Sequence, residues 1–373
     1  MKILQVCSAS EMGGGEVHVS DLVRSLASRG HAVYLAVRPE SPLRIPLAGV
    51  IASWHELPLR NSLDMQSARA IADIVNHHGI DIVHAHVGRD YLVSAFACRR
   101  SQARLVLTRH HYLPVKRNLI YRLMLQDTAA VIAVSDSVRE SIIERLAIPV
   151  ERVHTIPNWI DPARFRPIDR EAARSMFQFR STLVVACIGQ ITPAKGQEEF
   201  IRAAARAVTM RPDIHFVIAG EEKEEGSPFT ERLIHLIDTL GLNGKVSFLG
   251  HVHHIAELLA AVDVVVVPSW DEGFSLVTIE AMAAGRAVMA SNVGGIAGII
   301  TENTTGLLFP ARDSKAMAEK LLWLLWDTGM RERLGGHAQR EVAERFGRDQ
   351  VIDRIESLYF DVLGAGEYKK EVG

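Results

Sequence analysis

The chain has 373 residues, more than one hydrophobic core usually supports, so its length predicts two α/β domains. Hydrophobic residues make up 48% and charged residues 23%, the balance of a globular enzyme, and a net charge of -2 gives no footing for a nucleic-acid partner. The charge is uneven: residues 1–165 carry 19 Lys/Arg against 15 Asp/Glu and the remainder 23 against 29, so the first half is suited to meet something anionic, chance variation on solvated faces being the other reading.

Three cysteines, Cys7, Cys98 and Cys187, stand far apart in apolar settings. An odd, sparse set predicts reduced thiols and a cytoplasmic protein rather than a disulfide framework. Met1 to Val6 is too short an apolar run for a signal sequence and reads as a first strand. No stretch approaches the roughly 18 uninterrupted apolar residues of a membrane span, so any membrane contact is expected to be peripheral.

In chain order, short β-branched runs alternate with amphipathic helical stretches, which predicts parallel sheets with crossover helices. The first half gives strands at Ile3–Cys7, Ala32–Val37, Ile82–His84, Leu105–Thr108, Ala130–Val134 and Val153–Ile156. Helices are expected around Val17–Ser28, Ala68–His77, Leu92–Arg99, Asn118–Gln126 and Val138–Leu146, with Gly30 closing the first. Pro157, Pro162 and Pro167 punctuate a charged stretch, after which Leu183–Ile188 opens a second set of strands: Phe216–Ala219, Val246–Leu249, Val264–Val267 and Val288–Ala290. Two doubly wound, Rossmann-like halves follow, with domains at 1–162 and 163–345. A helix over 346–363 is expected to cross back toward the first domain, followed by a polar tail at 364–373. Such halves bind ligands at the carboxyl ends of their strands, so a crevice between them is the expected site.

The strongest local signal runs from Ser269 to Gly285. Four valines before Pro268 predict a buried strand, and Ser275 to Ala284 a helix closed by Gly285. The loop between them holds Glu272 and Gly273 and feeds a helix N-terminus, whose backbone N–H groups attract anions. Glu280 is the one charged residue between Gly273 and Gly285. A carboxylate in so apolar a helix costs several kcal/mol, of order 1–5, unless it is paired or hydrogen-bonded, and two ribose hydroxyls would satisfy it. A solvent-facing edge of the helix is the alternative.

At this point the sequence resembles the family 4 retaining glycosyltransferases of the GT-B fold, and the resemblance extends over nearly the whole chain. It rests on the two glutamates eight residues apart, Glu272 and Glu280. Met12-Gly13-Gly14-Gly15-Glu16 resembles the family's glycine loop, and Arg29-Gly30-His31-Ala32-Val33, Asp81 to His86 and Ile156-Pro157-Asn158-Trp159-Ile160-Asp161 resemble three further motifs. Gly294-Gly295 and Thr305-Gly306-Leu307-Leu308 resemble its closing element. The resemblance implies two Rossmann-like domains, a nucleotide-sugar donor (UDP-, GDP- or ADP-linked) used as substrate with no cofactor, and a hydroxyl acceptor, either free or lipid-linked. Glu280 would hold the ribose and Glu272 the donor sugar, while Gly273, Phe274, Ser275 and Leu276 would present amides to the diphosphate. Gly13 and Gly14 would line the donor site. Gly189 to Gly196 matches the pyrophosphate element, with Lys195 placed to neutralise the leaving nucleotide, an interaction of about 4 kcal/mol at about 4 Å and an effective dielectric near 20. His110, after the strand Leu105–Thr108, matches the active-site histidine, although His111 competes for the role.

Two departures stand out. Gln190 occupies a place where the family commonly carries arginine, so diphosphate binding would lean harder on Lys195 and the helix end. Ile296-Ala297-Gly298 replaces a common Pro-Glu. Sixteen histidines, among them His84/His86, His110/His111 and His251/His253/His254, raise the question of a metal. Without further ligands these spacings define no zinc site, and no Asp-x-Asp pair is present to hold a metal diphosphate, so no metal is expected. The resemblance further implies a front-face transfer in which a departing phosphate oxygen takes the acceptor proton. His110 to Arg122 mixes basic and apolar residues and would suit either an anionic membrane surface or an ordinary helix packed on the core. A nucleotide-sugar 2-epimerase and a catalytically silent nucleotide-binding partner share the architecture. Gly13-Gly14-Gly15 does not supply the Gly-x-Gly-x-x-Gly of an NAD enzyme.

Overall fold

The computed structural model describes residues 1–112, 119–146, 148–165, 168–223 and 228–364. Residues 113–118 of the basic and apolar segment, Pro167, and the tail after Gly364 lie outside the described residues. The chain divides into two compact units, Met1–Asn158 with Asp349–Gly373, and Trp159–Arg348.

The first unit is built on a seven-stranded parallel sheet of β1 (Lys2–Cys7), β2 (Ala32–Val37), β3 (Ser53–Glu56), β4 (Ile82–Ala85), β5 (Arg104–Arg109), β6 (Ala130–Ala133) and β7 (Val153–Thr155). Their spatial order is β3-β2-β1-β4-β5-β6-β7. The strand order therefore reverses between β1 and β4, the switch point at which such sheets open toward a ligand at their carboxyl ends. β4 and β6 are buried at every position, as expected of central strands covered on both faces by helices. From Asp349 onward the helix Arg348–Val362 belongs to this unit. Its Tyr359 hydroxyl lies 2.6 Å from His84 Nδ1, and the other ring nitrogen of His84 is 2.6 Å from Thr108 Oγ1. Nearer the surface, Arg29 Nη1 donates to Glu356 Oε2 at 2.9 Å, while His31 Nε2 lies 2.7 Å from Glu356 Oε1.

The second unit carries a six-stranded parallel sheet of β8 (Leu183–Ile188), β9 (Ile214–Ala219), β10 (Val246–Gly250), β11 (Val264–Val267), β12 (Ala287–Ser291) and β13 (Leu307–Phe309), ordered β10-β9-β8-β11-β12-β13. Its strand reversal falls between β8 and β11. Phe200, Phe216, Phe309, Leu321 and Leu334 are buried in its hydrophobic core.

Two strands depart from the sequence expectation by their presence. β3 is short, partly exposed and without a run of β-branched residues, and β13 has three residues, so neither has enough periodicity to register. The glycine segment differs as well: the first helix begins at Gly14 and not near Val17, so Gly14 and Gly15 form its first turn. Gly13 is the residue before it, and its N–H donates to Glu16 Oε2 at 2.9 Å, closing the helix start. Among the described residues no helix is long and apolar enough to cross a membrane.

Candidate active site

In the second unit, β8 and β11 are neighbours, and the loops leaving their carboxyl ends carry most of the predicted donor-binding residues. Gly189 follows β8 with φ 147°, and Gly220 follows β9 with the same value. A Cβ on Gly220 would lie 1.9 Å from the Gly189 carbonyl oxygen, so the two strand ends pass too closely for any other residue. The chain then makes a tight turn at Pro193–Lys195 and leaves through Gly196, which is left-handed at φ 71°. There a Cβ would meet the Pro268 carbonyl oxygen at 2.1 Å. The glycine thus presses the Lys195 turn against the end of β11, and Trp270 N–H donates to the Ala194 carbonyl at 2.8 Å.

That contact delivers the pair at the centre of the site: Lys195 Nζ donates to Glu272 Oε2 at 2.6 Å. The loop bearing Glu272 is held from its other side too. Gly295 N–H donates to the Glu272 carbonyl at 2.8 Å, and a Cβ on Gly295 would clash with the Gly273 carbonyl at 2.1 Å. Close approach to this loop is the physical reason for a glycine at 295. After Gly273 and the buried Phe274, Ser275 caps the helix Leu276–Ala283, its Oγ accepting from Thr278 N–H at 3.3 Å and from Thr278 Oγ1 at 2.8 Å. The amides of Leu276 and Val277, at the first two helical positions, have no partner inside the helix and carry its positive end.

Glu280 lies on the same helix, and burial pushes its carboxyl up from 4.5 to about 7, opposed by the charge of Arg164. Among the described residues no hydrogen-bond donor meets this carboxylate, and burying it in so apolar a setting is costly. Gln190 is exposed; its carbonyl accepts from Gln197 Nε2 at 2.9 Å, which fixes its backbone and leaves its side chain outward.

Gly13, Gly14 and His110 belong to the first unit. His110 follows β5 directly and is more enclosed than the exposed His111. Burial pushes its imidazole down to about 3, so it is neutral at physiological pH. Two further histidines stand around it. His86 follows β4, and His18 projects from the helix Gly14–Ser28; its ring centroid is 4.7 Å from that of His110 and 6.0 Å from that of His86. Burial and the neighbouring histidines hold both His18 and His86 well below the usual imidazole range. His18 escaped the sequence reading because no histidine spacing points to it. Its position four residues before Leu22, on the buried stripe of an amphipathic helix, is the signal that marks it. His84, by contrast, is a structural residue tied to Tyr359 and Thr108. The pair His251 and His253 sits in the other unit, after β10.

Two family models match the chain, Glycosyltransferase Family 4 over residues 12–164 and Glycosyl transferases group 1 over residues 169–341. The chain is 27% identical over 381 residues to N-acetyl-alpha-D-glucosaminyl L-malate synthase of Bacillus anthracis, covering 97% of each chain. It is 28% identical over 391 residues to D-inositol 3-phosphate glycosyltransferase of Mycobacterium tuberculosis, covering 100% of this chain and 80% of that protein. Among solved structures it superposes on Anabaena HepE in complex with UDP with a TM-score of 0.86 at 24% identity, covering 96% of this chain and 99% of that one. A glycosyltransferase from Rickettsia africae superposes with a TM-score of 0.88 at 22% identity over 97% of this chain and 98% of that one. The two parallel-sheet domains are those of the GT-B fold.

Proposed function

The chain belongs to the family 4 glycosyltransferases, and from that premise we propose a retaining, metal-independent enzyme that moves a sugar from a nucleoside-diphosphate sugar to a hydroxyl acceptor. The observation that carries this reading is the Lys195–Glu272 pair held at 2.6 Å beside the first turn of the helix that bears Glu280. One end of that helix offers positive charge for a diphosphate, and one carboxylate on it lacks the donors that a ribose brings. Lys195 exchanges its partner Glu272 for a phosphate oxygen when donor binds, and Glu272 turns to the hydroxyls of the sugar. The β-phosphate oxygen that departs from the anomeric carbon takes the proton from the incoming acceptor hydroxyl, on the face where the new bond forms. Lys195 and the amides of the Gly273–Leu276 segment stabilise the charge that develops on that oxygen. His110, neutral and enclosed, is suited to hydrogen-bond the donor sugar rather than to supply charge.

UDP-sugars are the first donors to test, because Anabaena HepE, which shares the fold, was solved with UDP and with UDP-glucose. The two curated relatives act, by their names, on small hydroxylated acceptors, malate and inositol 3-phosphate, and this class comes before lipid-linked acceptors in the screen. The test is a panel of UDP-, GDP- and ADP-sugars, scored for binding and for slow hydrolysis with and without a chelator. One base is expected to bind, with hydrolysis that retains the anomeric configuration and survives chelation. An inverted product, or activity abolished by the chelator, overturns the reading. Binding with no turnover toward any acceptor points instead to a silent nucleotide-binding partner.

A further inference from the structure

We propose that His18, His86 and His110 form a binding site for a single first-row transition-metal ion of the Zn²⁺ class, and that the bound ion shuts off the enzyme. The site is made by topology. β1, β4 and β5 are adjacent, so the residues just beyond β4 and β5 and the helix that follows β1 converge at one end of the sheet. Each histidine offers one ring nitrogen, and these three atoms lie within 4.8 Å of one another. Around a tetrahedral Zn²⁺ with Zn–N bonds of about 2.0–2.1 Å, ligand nitrogens stand roughly 3.3 Å apart. Closing the difference takes about 1.5 Å at most, within the reach of imidazole rotation on two side chains.

The surroundings are those of a ligand set and not of three independent core histidines. His86 Nε2 donates to Gln5 Oε1 at 2.6 Å, and this outer bond fixes the tautomer that leaves Nδ1 with a lone pair. Among the described residues, His86 Nδ1 and His110 Nε2 are both buried without a hydrogen-bond partner, an expensive arrangement that a metal ion would relieve. His18 and His86 are buried and His110 only partly so, and three nitrogen ligands leave the fourth position of the ion to water. All-nitrogen ligation selects Zn²⁺, Co²⁺, Ni²⁺ or Cu²⁺ over Mg²⁺ and Mn²⁺, which require oxygen ligands. Inhibition follows because coordination engages the His110 nitrogen that would otherwise meet the donor sugar. That part rests on the donor-site reading of His110, whereas metal binding itself does not.

The experiment is a Co²⁺ titration of the chelator-stripped full chain followed by visible absorption. The expected result is a saturable d–d spectrum of tetrahedral intensity at one Co²⁺ per chain, displaced by Zn²⁺ and unaffected by Mg²⁺. It should be lost in His18→Gln and in His86→Gln and kept in the double variant His251→Ala/His253→Ala. A spectrum that survives both cluster variants, or none that saturates in the wild type, overturns the site. Since His18 and His86 are buried, crystals of the wild type soaked in Zn²⁺ give a check that needs no variant. An anomalous peak about 2 Å from the three rings supports the site, and a peak only at His251 and His253 overturns it. Zn²⁺ should also abolish donor hydrolysis in the wild type, and a loaded enzyme of full activity overturns the inhibitory role alone. If no nucleotide sugar is bound or hydrolysed while the Co²⁺ spectrum forms, the donor reading fails and the metal site stands.

Discussion

Lys195 Nζ and Glu272 Oε2 meet at 2.6 Å across 77 residues of sequence, joined by a glycine that packs against the carbonyl of Pro268. Lys195 remains 34% exposed and Glu272 14%, so the pair is open to ligand and contributes only about 0–1 kcal/mol to stability. Its value lies in holding a cation in place before the donor arrives. Lys195→Ala should therefore leave the melting temperature within a few degrees, roughly 0–3 °C. Donor hydrolysis should fall about 10²–10³-fold. Lys195→Arg, which keeps the charge, should recover part of that loss. Steady-state hydrolysis and a thermal melt decide it: near-normal turnover in Lys195→Ala removes the residue from the mechanism.

Glu280 gives a pH signature of definite sign. Burial raises its carboxyl from 4.5 to about 7, so between those values the folded state keeps a proton that the unfolded chain has released. Stability of the unliganded protein then falls as pH rises from about 4.5 to about 7 and changes no further above that range. Glu280→Gln has no proton to release, so the difference in melting temperature between variant and wild type should grow in the variant's favour across this window. The scale is of order 1–3 kcal/mol. Nucleotide binding should move the opposite way, weakening about 10–100-fold in the variant, since hydrogen bonds to a charged group contribute about 1.5–3 kcal/mol each. A flat stability difference from pH 5 to 8, on the order of the melt's precision, means the carboxylate is already well solvated.

What the sequence made legible and what it did not divides along physical lines. Glu280 was visible because one charge in a helix of Leu, Val, Ile, Ala and Met is a local anomaly. The four-valine strand before Pro268 and the glycine after the helix Leu276–Ala283 were visible for the same local reason. The pairing of Lys195 with Glu272 was not, because contact between residues so far apart depends on which strands are neighbours, and local periodicity carries no strand order. His18 stayed hidden behind an ordinary amphipathic pattern. β3 and β13 are too short for period-2 alternation to stand above chance.

The glycines of the two loops predict a sharp contrast. Gly196→Ala places a Cβ 2.1 Å from a backbone oxygen at a left-handed φ of 71°, so the turn carrying Lys195 must shift. That change should destabilise by about 2–4 kcal/mol and lower donor hydrolysis with it. Gly15 lies in the first turn of the helix Gly14–Ser28, and a Cβ there meets nothing within 4 Å. Gly15→Ala should therefore be neutral or stabilising by about 0.5–1 kcal/mol through helix propensity. Paired thermal melts of the two variants are enough, and equal losses would contradict the assigned packing.

The helix Arg348–Val362 is anchored on two sides, through Tyr359 and through Glu356. Tyr359 is fully buried, and its hydroxyl lies 2.6 Å from Nδ1 of His84, which sits on β4 two residues before His86. Tyr359→Phe keeps the ring and its packing but leaves a His84 nitrogen buried without its partner, at a cost of about 1–3 kcal/mol. Arg29 and His31 still hold Glu356, so the outer side of the helix stays anchored and the loss is confined to its inner face. Amide exchange within Arg348–Val362 should accelerate while that of β8 to β13, in the other unit, remains unchanged. Removing the surface anchor instead, with Glu356→Gln, should have the smaller effect on stability, since its partners are more exposed than His84. An exchange pattern in which Glu356→Gln frees the helix and Tyr359→Phe does not would place the anchor at the surface and reverse the order of these two contacts.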